Sequence, residues 1–264
     1  MGFQKKTKKE GASLKIQRKE KIIQLIGENR MVKAGQLAEI FQVSSETIRR
    51  DLEELEAQKL IRRIHGGAIL NTTYNSEPDY SCREIENYEK KILIGRKAAD
   101  LVKDGDSIVI DIGTTTLEFA KFLKGKKITV FTNSLKIAYE LMDESTMSVI
   151  ILGGRVRHGE GTTSGYWSEE MIDHIYADKL FLGVGAMQPG QGIMDYHMEE
   201  TNLRRHYLKH CREVIALSDY SKFGISALNL VCETDKIDCL VTDEQIDKKI
   251  LKELRERGVR VLVA

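Results

Sequence analysis

The chain has 264 residues, 41% of them apolar and 31% charged, with a formal net charge of +1. This fits an ordinary soluble globular protein with room for about two domains. No run approaches the roughly 18 apolar residues of a membrane span, and no apolar core of about 7–15 residues follows the basic start, so neither a membrane partner nor a signal peptide is expected, and the chain is expected in the cytoplasm.

Cys82, Cys211, Cys232 and Cys239 are widely spaced and form no CxxC pair, which suggests reduced thiols rather than a disulfide framework. Residues 1–70 carry 15 Lys and Arg against 9 Asp and Glu, and the rest of the chain carries 26 against 31. A basic module on a mildly acidic body suits a nucleic-acid partner at one end.

Residues 1–14 read as a disordered basic tail, with Lys5, Lys6, Lys8 and Lys9 as a flexible electrostatic arm. Residues 15–70 read as a small DNA-binding domain. A first helix is expected from Lys15 to Glu28, with Ile22, Leu25 and Ile26 on one face. A second runs from Lys33 to Phe41, using Leu37, Ile40 and Phe41. A third starts at Ser44, a good N-cap, and buries Ile48, Leu52 and Leu55 at i, i+4, i+7. Two strands, Lys59–Ile64 and Ala68–Leu70, are joined through His65-Gly66-Gly67, whose glycines are expected to supply the positive φ of a tight hairpin.

With Ile48 and Leu52 turned inward, Ser44, Ser45, Glu46, Thr47, Arg49 and Arg50 are left to face a major groove. There Arg pairs with guanine and Glu accepts from cytosine. Arg62, Arg63 and His65 are placed against phosphate or the minor groove. The plainer alternative makes Arg49–Glu53 and Arg50–Glu54 simple i, i+4 surface pairs. The helix-turn-helix spacing, the glycine hairpin and the local charge together favour duplex DNA. Val43-Ser44, Thr47 to Leu52, Leu55-Glu56 and His65-Gly66-Gly67 resemble the N-terminal winged helix of the DeoR family of bacterial transcription regulators.

Residues 71–82 read as a linker around Pro78. Residues 83–264 read as an α/β domain, opened by a helix from Arg83 to Lys103 with Ile85, Tyr88, Ile92 and Val102 near one face. Strands are expected at 107–111, 128–132, 148–152, 179–184, 213–218, 239–242 and 259–263. Helices are expected near 115–124, 134–142, 167–175, 199–210 and 245–257. The alternation predicts a mostly parallel sheet covered by helices.

Asp111-Ile112-Gly113-Thr114-Thr115-Thr116 follows a strand and opens a helix, which suits a phosphate cradle at a helix N-terminus. It lacks the Lys of a Walker loop, and a capped tight turn is the plainer alternative. Asn133, Ser134, Gly153, Gly154, Gly183 to Ala186 and Asp219 also fall at strand C-terminal ends, where open α/β sheets bind ligands. Lys222 is a candidate to neutralise a phosphate. His206 and His210 have i, i+4 metal spacing, but no glutamate base accompanies them, and a solvated basic helix face is the preferred reading, with no metal and no cofactor.

The resemblance extends here through Asp111 to Thr116, Thr132-Asn133-Ser134, Gly153-Gly154, Gly192-Ile193 with Glu199-Glu200, Asp219 with Ser221 to Gly224, and Thr242-Asp243. The family's sensor fold is similar to ribose-5-phosphate isomerase. The resemblance implies a phosphorylated sugar as effector, its phosphate at Gly113 to Thr116, and a repressor of a sugar-metabolism operon. Glu200 enters the effector set with the motif, and Tyr196-His197-Met198, where the family varies, is placed in ligand selectivity. The alternatives are a sugar-phosphate isomerase with an accessory DNA domain, using Asp111, Asp195, Glu199 or Glu200, and a pure interaction protein. Paired half-sites on operator DNA lead to an expected homodimer or homotetramer.

Overall fold

The computed structural model describes residues 15, 17–26, 31–58, 60–64, 67–70, 77–78 and 80–264. They fall into two compact units, divided between Cys82 and Arg83. The expected basic arm, most of the expected linker, His65 and the side chain of Arg62 lie outside the described residues.

In the first unit, helix α1 (residues 17–26) is followed by strand β1 (Met31–Lys33), α2 (Ala34–Phe41), α3 (Ser45–Ala57), β2 (Ile61–Ile64) and β3 (Gly67–Leu70). Ile22, Ile26, Val32, Leu37, Ile48, Leu52, Leu55, Ile61 and Ala68 form one buried core. The inward face of α3 is the expected one, but Ile40 is not part of the core and is 55% exposed. The three strands pair antiparallel in the order β1-β3-β2. Strand β1 was not foreseen, because three residues are too few for alternation to show. It also explains Gly67. A Cβ there would stand 2.4 Å from the Val32 carbonyl oxygen, so close backbone approach requires the glycine, and Gly67 is not at positive φ.

In the second unit, α4 (Tyr80–Ile85) crosses the division and begins within the expected linker. The single helix expected over Arg83–Lys103 is broken, since Asn87 sits at φ 55° and α5 (Tyr88–Ala99) starts after it. The break rotates the buried face. Ile85 and Tyr88 are exposed, while Lys91, Ile94, Gly95, Ala98 and Ala99 turn inward. The chain continues through β4 (Ser107–Ile110), α6 (Thr114–Lys121), β5 (Thr129–Thr132), α7 (Leu135–Leu141), β6 (Ser148–Ile151), the hairpin β7 (Arg155–Arg157) and β8 (Thr162–Ser164), and α8 (Tyr166–Asp173). Then come β9 (Ala177–Gly183), β10 (Ala186–Gln188), β11 (Gly192–Asp195), α9 (Met198–His210), β12 (Cys211–Leu217), β13 (Asn229–Cys232), β14 (Cys239–Thr242), α10 (Lys248–Glu256) and β15 (Arg260–Val263).

Seven strands form one parallel sheet in the order β15-β14-β12-β9-β4-β5-β6. Successive residues of each strand face opposite sides. Val109, Leu180, Leu182, Val214 and Ala216 pack on one side with Ile172, Leu203, Tyr207 and Leu254. Ile108, Ile110, Phe181, Ile215 and Leu217 pack on the other with Ile94, Phe119, Ile137 and Leu141. The result is a three-layer α/β/α unit. Gly95 lets α5 cross α6 closely, since a Cβ would come within 2.7 Å of the Phe119 backbone nitrogen. The second, antiparallel sheet β10-β11-β13 was not foreseen.

Candidate functional sites

Gln42 at φ 51° closes α2, and the Ser44 Oγ accepts from the Thr47 backbone N–H at 3.2 Å to cap α3. This turn leaves Ser45, Glu46, Arg49 and Arg50 exposed on α3, with Thr47 half-buried. Arg49 Nη2 reaches Glu46 Oε1 at 2.8 Å and also pairs with Glu53. Arg50 Nε reaches Glu46 at 3.2 Å, and Arg63 Nη1 reaches Glu53 at 3.1 Å. The hydrogen bond from Arg49 chiefly, with Arg50 adding to it, holds the Glu46 carboxyl down at about 2. The foreseen Arg49–Glu53 pair forms, but Arg50 pairs with Glu46 rather than Glu54. Exposed pairs of this kind are screened by solvent and contribute little, so exchanging them for other contacts costs little.

Asp51 has a different role from its neighbours. It is 1% exposed and accepts from Arg18 Nε at 2.6 Å, while Glu54 takes Lys15 at 2.6 Å and also Lys19. These contacts tie α3 to the first helix and so fix which of its faces is exposed. The alternation of charges hides this, because Asp51 sits beside Arg50 in sequence but, a step of about 100° round the helix, is buried where Arg50 is exposed.

The second site lies where the parallel sheet reverses direction. From β4 the chain builds outward through β5 and β6, then returns to the other side of β4 with β9 and continues through β12, β14 and β15. The crevice beyond the C-terminal ends of β4 and β9 is therefore the switch point at which such sheets bind ligands. Gly113 lies there at φ +151°, and a Cβ would meet Thr116 Oγ1 at 3.1 Å. No side chain caps α6, and its first backbone bond runs from Leu117 N to Gly113 O at 3.1 Å. The N–H groups of Thr114, Thr115 and Thr116 precede that bond and point out of the helix end.

Cations gather behind this turn. The Thr114 Oγ1 donates to the Arg83 carbonyl at 3.3 Å, and Lys91 Nζ donates to the same oxygen and to the Glu86 carbonyl at 2.6 Å. Lys91 is 1% exposed, and burial, helped by nearby Lys222, lowers its pKa to about 8. Lys222 stands 3.5 Å from Glu86. Burial pulls its pKa down, but Glu86 and Asp219 outweigh this and raise it. Asp219 Oδ1 accepts from Asn87 Nδ2 at 2.8 Å and from Ser221, whereas its Oδ2 is buried with no partner. Asn133 Oδ1, at the end of β5, is likewise buried and unpartnered, its Nδ2 donating to Thr163 O at 3.0 Å. Lys91 was missed from the sequence because a lysine on an amphipathic helix reads as solvated. The available signal was its i, i+3 and i, i+4 spacing to Ile94 and Gly95.

Other expected members of this site have internal work. Asp111 Oδ2 accepts from Arg204 Nε at 2.8 Å and Gly183 N at 3.2 Å, and Arg204 also pairs with Asp195. Burial pushes Asp111 up to about 6 against the pull of Arg204. Both Glu200 oxygens are taken, by Arg157 at 2.9 Å and Thr162 at 3.0 Å. Ser134 Oγ caps α7 through Ile137 N at 3.3 Å. Gly153 and Gly154 follow β6, two strands from β4. At Gly154, φ is +139° and a Cβ would lie 2.6 Å from Ser164 O, so packing explains this glycine. His197 Nε2 lies 2.5 Å from Arg157 Nη2. His206 and His210 are not on a freely solvated face, since both reach Asp173 Oδ1, at 2.6 and 3.1 Å. Among the described residues, no group of His, Cys, Asp and Glu is arranged to hold a metal ion. A cavity of about 630 Å3 lies elsewhere, against Gly190, Met194, Leu230 and Arg257.

A DNA-reading unit joined to an α/β unit with a polar switch-point crevice defines a ligand-sensing class of DNA-binding protein. Two family models match the chain: the DeoR-like helix-turn-helix domain over residues 18–74 and the DeoR C terminal sensor domain over residues 86–244. The chain belongs to the DeoR family and is a DNA-binding transcription regulator. Its relatives include the HTH-type transcriptional regulator GolR of Listeria innocua, 34% identical over 94% of this chain and 98% of its own. The HTH-type transcriptional repressor GlcR of Bacillus subtilis is 34% identical over 92% of this chain and 93% of its own. The glycerol-3-phosphate regulon repressor of Escherichia coli is 30% identical over 93% and 97%. A solved ribose 5-phosphate isomerase A from Methanocaldococcus jannaschii overlays on 52% of this chain and 55% of its own at 17% identity and a TM-score of 0.40, a likeness too loose to carry an argument. No helix among the described residues is long and apolar enough to cross a membrane.

Proposed function

We propose that the chain is a cytoplasmic repressor of a sugar-metabolism operon whose hold on operator DNA is controlled by a phosphorylated sugar. The observation that carries this reading is the crevice at the β4–β9 switch point. There Thr114, at the uncapped N-terminus of α6, shares the Arg83 carbonyl with Lys91, and Lys222 lies beside Lys91 and Glu86. N–H donors and cations favour a phosphate. The buried acceptors Asn133 Oδ1 and Asp219 Oδ2 flank the turn and suit sugar hydroxyl donors. Gly113 and Thr114 to Thr116 hold the phosphate in this reading, with Lys91 and Lys222 neutralising it. Asp111 and Glu200 act one step back, holding Arg204 and Arg157.

On α3, Ser44, Ser45, Glu46, Thr47, Arg49 and Arg50 form the reading face, with Arg62, Arg63 and His65 on the backbone. One such module offers about 600–1,000 Å2 of contact, small for strong specificity, so we place the chain in a homodimer or homotetramer on repeated half-sites. The relatives' printed names, among them a glycerol-3-phosphate regulon repressor, support the phosphorylated class of effector and the repressor sign.

A thermal-shift screen against a panel of sugar phosphates and their unphosphorylated parents tests the reading. A ligand at 100 times its Kd stabilises by about 2.7 kcal/mol. Stabilisation by at least one phosphate ester and none of the parents is expected, and stabilisation by no phosphate ester would sink the reading.

A further inference from the structure

We propose that the effector phosphate and the chain segment entering the sensor compete for the same two donors, the Thr114 hydroxyl and the Lys222 ammonium. The inference rests on the phosphosugar reading above and names how occupancy of that crevice reaches the rest of the chain. Residues 83–87 are the first of the sensor unit and are covalently continuous with the DNA-reading unit through α4. Groups of the crevice hold this short segment at several points. Thr114 Oγ1 donates to the Arg83 carbonyl at 3.3 Å, and Lys91 Nζ donates to the carbonyls of Arg83 and Glu86. Lys222 pairs with the Glu86 carboxylate at 3.5 Å, and Asn87, in the left-handed region, donates from Nδ2 to Asp219 Oδ1 at 2.8 Å.

Counting donors shows which contacts are exclusive. A threonine hydroxyl has one proton and serves one acceptor at a time. Bound to phosphate, Thr114 releases the Arg83 carbonyl. Lys222 faces the Glu86 carboxylate at ion-pair rather than close hydrogen-bond distance, with Asp219 adding to the pull, and a dianionic phosphate at the turn draws it away from Glu86. Lys91 has three protons, two of them on the carbonyls of Arg83 and Glu86, so it serves phosphate with the third and keeps its hold. Phosphate binding therefore removes two of the tethers on residues 83–87 and leaves Lys91, Asn87 and the pair of Arg83 with Glu160 as the pivot. The segment through which the sensor is connected to the reading unit is loosened by the ligand itself, with no movement of the sheet required.

Amide hydrogen exchange on the full-length chain, with inorganic phosphate against chloride at equal ionic strength, tests this alongside melting temperature. The expected result is a phosphate-dependent rise in Tm together with several-fold faster exchange in the peptide covering residues 80–91. Both changes should be lost in Thr115→Glu, which fills the turn with a carboxylate. Glu86→Gln frees Lys222 from its competitor. It should bind phosphate several-fold more tightly and show fast exchange at 80–91 before phosphate is added. If phosphate raises Tm through the turn but leaves exchange at 80–91 unchanged or slower, the competition is overturned and the phosphosugar reading stands. If phosphate raises Tm at no concentration up to tens of millimolar, both fall together.

Discussion

Replacing Lys91 with methionine separates a lysine kept for its charge from one kept for packing. Lys91 is 1% exposed, and burial lowers its pKa from 10.5 to about 8. At about 1.36 kcal/mol per pKa unit, holding this ammonium charged at pH 7 costs the fold about 3 kcal/mol relative to the unfolded chain. The fold favours the neutral amine, whereas the unfolded chain keeps the proton up to its ordinary value. Between about pH 8 and 10.5 the unfolded state therefore binds more protons, and this contribution to stability rises with pH. Lys91→Met removes the cost but takes the Lys91 donor from the Glu86 carbonyl, at about 1–3 kcal/mol, while the Arg83 carbonyl keeps the Thr114 hydroxyl. Stability at pH 7 should thus change little. Urea melts of both proteins at pH 7 and 10 isolate the lysine, because every other group cancels in the difference. The wild type should gain about 3 kcal/mol more than the variant over that interval.

The ligand moves the other way. Phosphate needs the ammonium, so effector affinity should fall as pH rises through about 8 in the wild type. Lys91→Met should bind about 10- to 100-fold more weakly at pH 7, the worth of one charge-assisted hydrogen bond of about 1.5–3 kcal/mol. Identical pH slopes in the two proteins would show that Lys91 is not the buried titrating group. Unchanged effector affinity would remove it from the site.

Arg50→Ala should cost about 1–3 kcal/mol on a selected duplex and relax one base preference, read by fluorescence anisotropy across single-base variants; unchanged affinity and preference would remove Arg50 from base reading. Gly113→Ala forces a side chain into φ +151° beside Thr116 Oγ1, at a strain of about 1–3 kcal/mol, and should abolish effector stabilisation while leaving DNA affinity intact. Arg204→Met leaves Asp111 and Asp195 buried without their partner and should lower stability by about 3–5 kcal/mol in urea melts near pH 7, a loss that shrinks as Asp111 protonates in acid.

Strong periodicity made the frame of the molecule readable. All seven strands of the parallel sheet were expected, because runs such as Ser107–Ile110 and Cys239–Thr242 are short, apolar and β-branched between helical stretches. The α3 core face was equally plain, since Ile48, Leu52 and Leu55 repeat at helical spacing. What the sequence hid depended on single residues and on long-range contact. Asn87 breaks a helix that periodicity alone continues, and the buried face of α5 shifts with it. Strands β1, β7 and β8 are three residues each and are defined by their partners, not by their own pattern. The turn at Gly113 to Thr116 was readable because a strand, a glycine and a helix start coincide. Lys91 was not, because its ammonium bonds the carbonyls of Arg83 and Glu86 across the break at Asn87, which periodicity does not show. Glycines look alike in sequence, yet Gly113 serves the turn while Gly67 and Gly154 yield to a neighbouring backbone.

The central claim is that a sugar phosphate in the Gly113 to Thr116 turn changes the grip of α3 on DNA. The most direct measurement is the Kd for a duplex selected from a random pool, with and without each member of a sugar-phosphate panel, for wild type and Thr115→Glu. The account predicts that one phosphate ester shifts the wild-type Kd about 5- to 150-fold, the usual range of coupling between sites. It also predicts that Thr115→Glu binds the duplex as tightly as wild type without responding. A Kd that no sugar phosphate moves, or a response that survives Thr115→Glu, would contradict it.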